Sequence, residues 1–86
     1  MPMSYDEIVN LKVGDDVWEC QLDECRNYVV TVEPTVECDG EFTQVSFSAK
    51  PTDSDLDCMF LLTKGMEHYG PKLYRYMAYM NFKSRG

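Results

Sequence analysis

Asp39-Gly40 constrains the fold of this chain more than any other pair of residues. Asp and Gly both tolerate the positive φ angles that a two-residue hairpin loop demands, and the pair stands between two runs suited to strands, residues 36–38 and 42–49. In the second run Thr43, Val45, Phe47 and Ala49 share one face, while Phe42, Gln44, Ser46 and Ser48 share the other. The spacing predicts an antiparallel hairpin with Val45 and Phe47 on its core side.

Further strands follow from the same period of two. From Val17 onward Trp18, Cys20 and Leu22 alternate with Glu19, Gln21 and Asp23, the pattern of a half-buried strand. Residues 23–27 read as a polar loop, and residues 28–33 are dense in β-branched and aromatic side chains. Pro34 limits that strand or marks its bend. Residues 50–57 form a loop rich in Pro, Ser and Asp, after which residues 58–62 fit a last buried strand. Ahead of all of these, Ser4 and Glu7 have the spacing of a capping box and predict one short helical turn.

The C-terminal third changes register. With Leu73 as the reference, Met66, Tyr69, Tyr76, Met77 and Met80 project within about 60° of it on a helical wheel, a continuous apolar stripe. Thr63 suits the N-cap, and Pro71 suits the first turn of a second helical piece. A strand is the alternative, because Tyr74, Tyr76, Ala78, Met80 and Phe82 also alternate. Helix is preferred because unbranched Leu, Met, Lys and Arg suit helices. The expected class is therefore α+β: a small bent antiparallel sheet or open barrel with a C-terminal amphipathic helix laid over it. Its expected core is Trp18, Leu22, Val30, Val32, Val45, Phe47, Phe60, Leu62, Leu73 and Met77.

At 86 residues the chain has room for one domain, divided into a β-rich body (1–62) and a helical tail (63–86). The longest stretch lacking charge and turn residues runs over 58–63, far short of the ~20 residues a transmembrane helix needs. The N-terminus lacks the positive charge and apolar run of a secretory signal, so a cytoplasmic location is expected. There Cys20, Cys25, Cys38 and Cys58 should be free thiols; in an exported chain they would allow three pairings. A C-x₄-C pair with two isolated cysteines and a single imidazole, His68, does not make a zinc site. Asp53, Asp55 and Asp57 alternate like a calcium loop, but Cys58 and Lys64 stand where an EF-hand needs Gly and Glu. No metal or other cofactor is expected.

The net charge of −7 is divided unevenly. Residues 1–58 hold 14 acidic and 3 basic side chains, a balance of −11, and residues 59–86 hold 1 acidic and 5 basic, a balance of +4. Such a body does not neutralise phosphate, which argues against direct nucleic-acid binding by it. Its carboxylates gather at the turns: Asp15, Asp16, Asp23, Glu24, Asp39, Glu41, Asp53, Asp55 and Asp57. Such a set solubilises a small domain, or docks on a basic protein face by electrostatic complementarity. On the tail, Lys72, Arg75, Tyr79 and Lys83 share a flank, with Tyr74 and Phe82 as further aromatic positions. They could pair with the acidic body, form an interface, or stack on bases. No nucleophile motif or phosphate-cradling loop is present, so catalysis is not expected.

Two motifs carry a family resemblance. The opening Leu11-Lys12-Val13-Gly14-Asp15-Asp16-Val17-Trp18 and the run Phe60-Leu61-Leu62-Thr63 resemble segments of the small Src-homology-3-like barrels of phages and mobile elements. In those proteins a Val-Gly-Asp-x-Val-Trp segment opens the first strand and a Phe-Leu-Thr edge launches the closing helix. Here a second leucine precedes Thr63, and the following segment carries tyrosine and methionine in place of Glu and Lys. The resemblance implies a phage protein and no single function. Together with the charge it suggests a small acidic inhibitor that occupies a basic surface of a host nucleic-acid-handling or defence complex, as an anti-CRISPR protein or nucleic-acid mimic does. A self-associating assembly protein, forming a homodimer through its aromatic tail, is the alternative, and a nucleic-acid binder using the basic tail is a third.

Overall fold

In the computed structural model, residues 2–21, 24–66 and 72–75 are described. Among them, one five-residue helix, α1 (Tyr5–Val9), is followed by five strands: β1 (Asp16–Gln21), β2 (Glu24–Asp39), β3 (Phe42–Pro51), β4 (Cys58–Thr63) and β5 (Lys72–Tyr74). The strands form one antiparallel sheet in the order β4-β3-β2-β1-β5.

This corrects the expected α+β class. Thr63 ends β4 instead of capping a helix, and Leu73 sits at the centre of β5, paired with Glu19. The fold is an open all-β sheet, and among the described residues β4 and β5 do not meet to close a barrel. The strand alternative was the right one at residues 72–74: β5 completes the ladder against β1 and buries Leu73 while Lys72 turns out. Tertiary pairing thus overrides a weak local helix propensity. The remainder of the expected tail helix, including Met77, lies outside the described residues.

The short helix forms as the capping box dictates. The Ser4 side chain accepts from the Glu7 amide, and the Glu7 carboxylate accepts from the Ser4 amide at 3.1 Å. This fixes the chain so that Ile8 and, just beyond, Leu11 point onto the sheet.

The β2–β3 hairpin forms one residue further along than expected. Asp39 pairs with Phe42, which leaves Gly40-Glu41 as the two-residue loop, with Gly40 at φ 61° in the first loop position. Both primed hairpin turns require positive φ there. Nor does Pro34 end β2. The ladder shifts register on either side of Val32 and resumes at Thr35, so the proline falls in an irregular stretch where no ladder hydrogen bond is lost.

One face of the sheet, with α1 against it, holds the core: Met3, Ile8, Leu11, Val17, Tyr28, Val30, Val45, Phe47, Ala49 and Leu73. Phe60 links its two sides, stacking on Phe47 and meeting Tyr28 edge-on at centroid distances of 5.0 and 5.1 Å. Of the expected core, Val30, Val45, Phe47 and Leu73 are buried, and Phe60 and Leu62 pack against them half-buried. Val32 is instead 53% exposed, and Leu22 lies outside the described residues. In β1 the faces are exchanged. Val17 is fully buried and Trp18 is only half-buried, because Val17 pairs with Tyr28 on the core side.

The cysteine expectation is also corrected. Cys20 and Cys25 are joined in a disulfide, while Cys38 and Cys58 are free. The two bridged residues are direct cross-strand partners near the end of the β1–β2 ladder, with Cα atoms 4.1 Å apart. The C-x₄-C spacing brings them together there because the last described pair inside them is Gln21 and Glu24.

Candidate interaction surfaces

The nine acidic candidates do not form one face. Asp39 and Glu41 sit at the β2–β3 loop with Glu37 beside them, at one end of the sheet. Asp53, Asp55 and Asp57 lie in the β3–β4 connection at the opposite end, the end that also holds Glu24. Asp15 and Asp16 are where β1 begins, and Asp23 lies outside the described residues.

These groups differ in electrostatic state. At the β3–β4 connection Asp53 accepts from Arg26 at 3.0 Å and Asp55 faces Lys50 at 3.5 Å. The hydrogen bond to Asp53 pushes the Arg26 guanidinium above its ordinary pKa. Asp15 takes Arg75 at 3.8 Å, and Lys12 takes Glu33 at 3.9 Å. All of these pairs are exposed or half-exposed, so water screens them and each contributes little. At the hairpin, by contrast, Glu37, Asp39 and Glu41 have no cationic partner among the described residues.

That hairpin is an arm. β1 pairs with β2 only from residue 24 to residue 29, so the distal half of β2 has β3 on one side and no strand on the other among the described residues. Apolar side chains are left in the open there. Phe42 is 56% exposed opposite Asp39, and Val36 is exposed opposite the buried Val45. Glu37, Val36 and Phe42 were not among the sequence candidates. All three lie on runs read as strands, 36–38 and 42–49; what alternation does not show is that β1 stops short of this end of β2 and leaves them exposed.

A second surface lies on β4. Val45, Phe47 and Ala49 of β3 stand opposite Leu62, Phe60 and Cys58 on the core face. Ser46 and Ser48 stand opposite Leu61 and Met59 on the other, where these two side chains are 62% and 75% exposed. The expected last buried strand is therefore an edge strand, apolar on both faces.

The tail candidates are only partly described. Lys72 is exposed opposite Cys20, Tyr74 is half-buried opposite Trp18, and Arg75 pairs with Asp15. That pairing follows the reading in which tail cations serve the acidic body. Tyr79, Phe82 and Lys83 lie outside the described residues.

A groove of about 560 Å³ runs along β4, lined by all six residues of the strand together with Glu19, Tyr28, Met66 and Leu73. The Tyr28 hydroxyl donates to Glu19 at 3.0 Å within it. Burial, and then the bond to Glu19, raise the Tyr28 hydroxyl above its ordinary pKa. Among the described residues no three His, Cys, Asp or Glu side chains are placed to hold a metal ion, and no helix is long and apolar enough to cross a membrane.

Geometry therefore defines a class, an open antiparallel sheet with a projecting acidic arm and one exposed apolar edge. No family model, curated protein or solved structure matches the chain.

Proposed function

We propose that this chain is a non-catalytic protein-binding module that occupies a basic surface of a partner through the β2–β3 arm. The observation that carries the reading is the arm itself: Glu37, Asp39 and Glu41, without described cationic partners, with the exposed Phe42 on the face of Glu37 and Asp39 and the exposed Val36 on the other. Carboxylates of one sign steer a basic partner and set orientation, while an aromatic side chain supplies contact area. The charge of the body and the resemblance to phage barrels favour an inhibitor of a host nucleic-acid-handling or defence complex, acting in the host cytoplasm. In that compartment the Cys20–Cys25 bridge would be kept reduced, so the fold has to stand without it.

The reading is tested by affinity capture from a bacterial lysate, with wild type set against the arm variant Glu37→Lys/Asp39→Lys/Glu41→Lys. Recovery of a basic protein by the wild type alone, declining as salt rises, supports it. Equal recovery by both forms contradicts it.

A further inference from the structure

The two edges of the sheet are built differently. β5 is three residues long, it carries Lys72, and its Leu73 carbonyl accepts from the Met3 amide at 2.7 Å, so the N-terminal segment covers it. β4 has six residues, CMFLLT, with no charge and no proline, and its six residues pair with β3 without a register break. Among the described residues it thus lacks the devices that usually keep an edge strand from pairing. Its polar groups can be assigned. The Lys64 amide bonds to the Thr43 carbonyl, and in an antiparallel ladder bonded and non-bonded pairs alternate. Residues 58, 60 and 62 therefore turn their amides and carbonyls toward β3, and Met59, Leu61 and Thr63 turn theirs outward.

We propose that β4 pairs with β4 of a second copy of this chain, antiparallel about a twofold axis along the sheet normal that passes at Leu61. This register opposes Leu61 to Leu61 and Met59 to Thr63, so each outward amide and carbonyl meets its counterpart. Faces are preserved: Phe60 of one copy lies beside Leu62 of the other on the core side, and the exposed Met59 and Leu61 side chains meet across the seam on the other.

The charges that flank β4 make it complementary to a second copy of itself. β4 begins immediately after Asp57 and ends immediately before Lys64. Antiparallel pairing sets the acidic end of each strand beside the basic end of the other, whereas parallel pairing would set like charges together. The product is one continuous sheet of two halves, with the two acidic arms at opposite ends. Dimerisation is independent of what the arm binds.

Sedimentation velocity on the full chain at rising concentration, in a Cys38→Ser/Cys58→Ser background to exclude adventitious disulfides, tests the proposal. The expected result is a shift from the 10.0 kDa monomer to a dimer, abolished by Leu61→Lys, which alters an exposed side chain and leaves the core intact. In the same background Leu61→Cys should give a covalent dimer on mild oxidation, and Ser48→Cys, one strand further in, should not. A monomer at every concentration up to the millimolar range overturns the proposal. So does a dimer that survives Leu61→Lys, or a chain that stays monomeric while β4 accepts a strand from a different protein.

Discussion

Tyr28 donates its hydroxyl to Glu19 at 3.0 Å across the β1–β2 ladder. Glu19 is the acidic residue on the core side of β1, between Val17 and the groove, and this bond is what lets a carboxylate occupy a half-buried position there. Arg26 lies over the same tyrosine ring at 5.6 Å while holding Asp53, so one side chain ties the core rim to the β3–β4 connection.

Removing that bond costs stability. Tyr28→Phe should lose about 1–2 kcal/mol, somewhat below the usual range for bonds to charged groups because Glu19 keeps contact with water. Urea unfolding at pH 7 checks it. The difference should vary with pH in a defined direction. The folded pKa of Tyr28 is raised by burial and by Glu19, so the stabilisation is fully present below the ordinary tyrosine value of about 10 and is lost as pH rises through the folded value. Wild type should therefore weaken more steeply above pH 10 than Tyr28→Phe.

The Cys20–Cys25 bridge closes a loop of about six residues, for which chain entropy predicts about 2 kcal/mol. Reduction, or Cys20→Ala/Cys25→Ala, should lower the denaturation midpoint by that amount and leave a folded domain. Loss of all cooperative unfolding under reducing conditions would argue against action in a reducing compartment.

The helix is small but placed over the core. Ser4→Ala removes the capping box and should cost about 1 kcal/mol. Ile8→Ala, at a fully buried position, should cost about 2–5 kcal/mol. Thermal unfolding followed by circular dichroism separates the two.

Local chemistry was legible wherever the residues themselves impose it. Ser4 and Glu7 announced the helix, Asp39-Gly40 located the arm's turn to within one residue, and residues 58–62 announced a strand. What alternation cannot show is which strand will be its neighbour. The β1 faces were exchanged because Trp18 looks like a core residue, yet pairing places Val17 on the Tyr28 side. The helix expected around Leu73 failed for the same reason, since a three-residue strand is decided by the edge it completes. Among the site residues, Asp39 and Glu41 were legible as turn carboxylates. Glu37 and Phe42 join them only through the cross-strand register, and Arg26, paired with Asp53, comes from 27 residues away in the chain.

The central claim is that the arm, and not the whole acidic surface, engages the partner. Titration of the captured partner with Asp39→Lys/Glu41→Lys and, separately, with Asp53→Lys/Asp55→Lys tests it most directly. The arm variant should lose at least tenfold in affinity, mainly through slower association, with reduced salt dependence, while the variant at the opposite end stays within about threefold of wild type. Equal losses in both, or a loss confined to Asp53 and Asp55, would contradict the account.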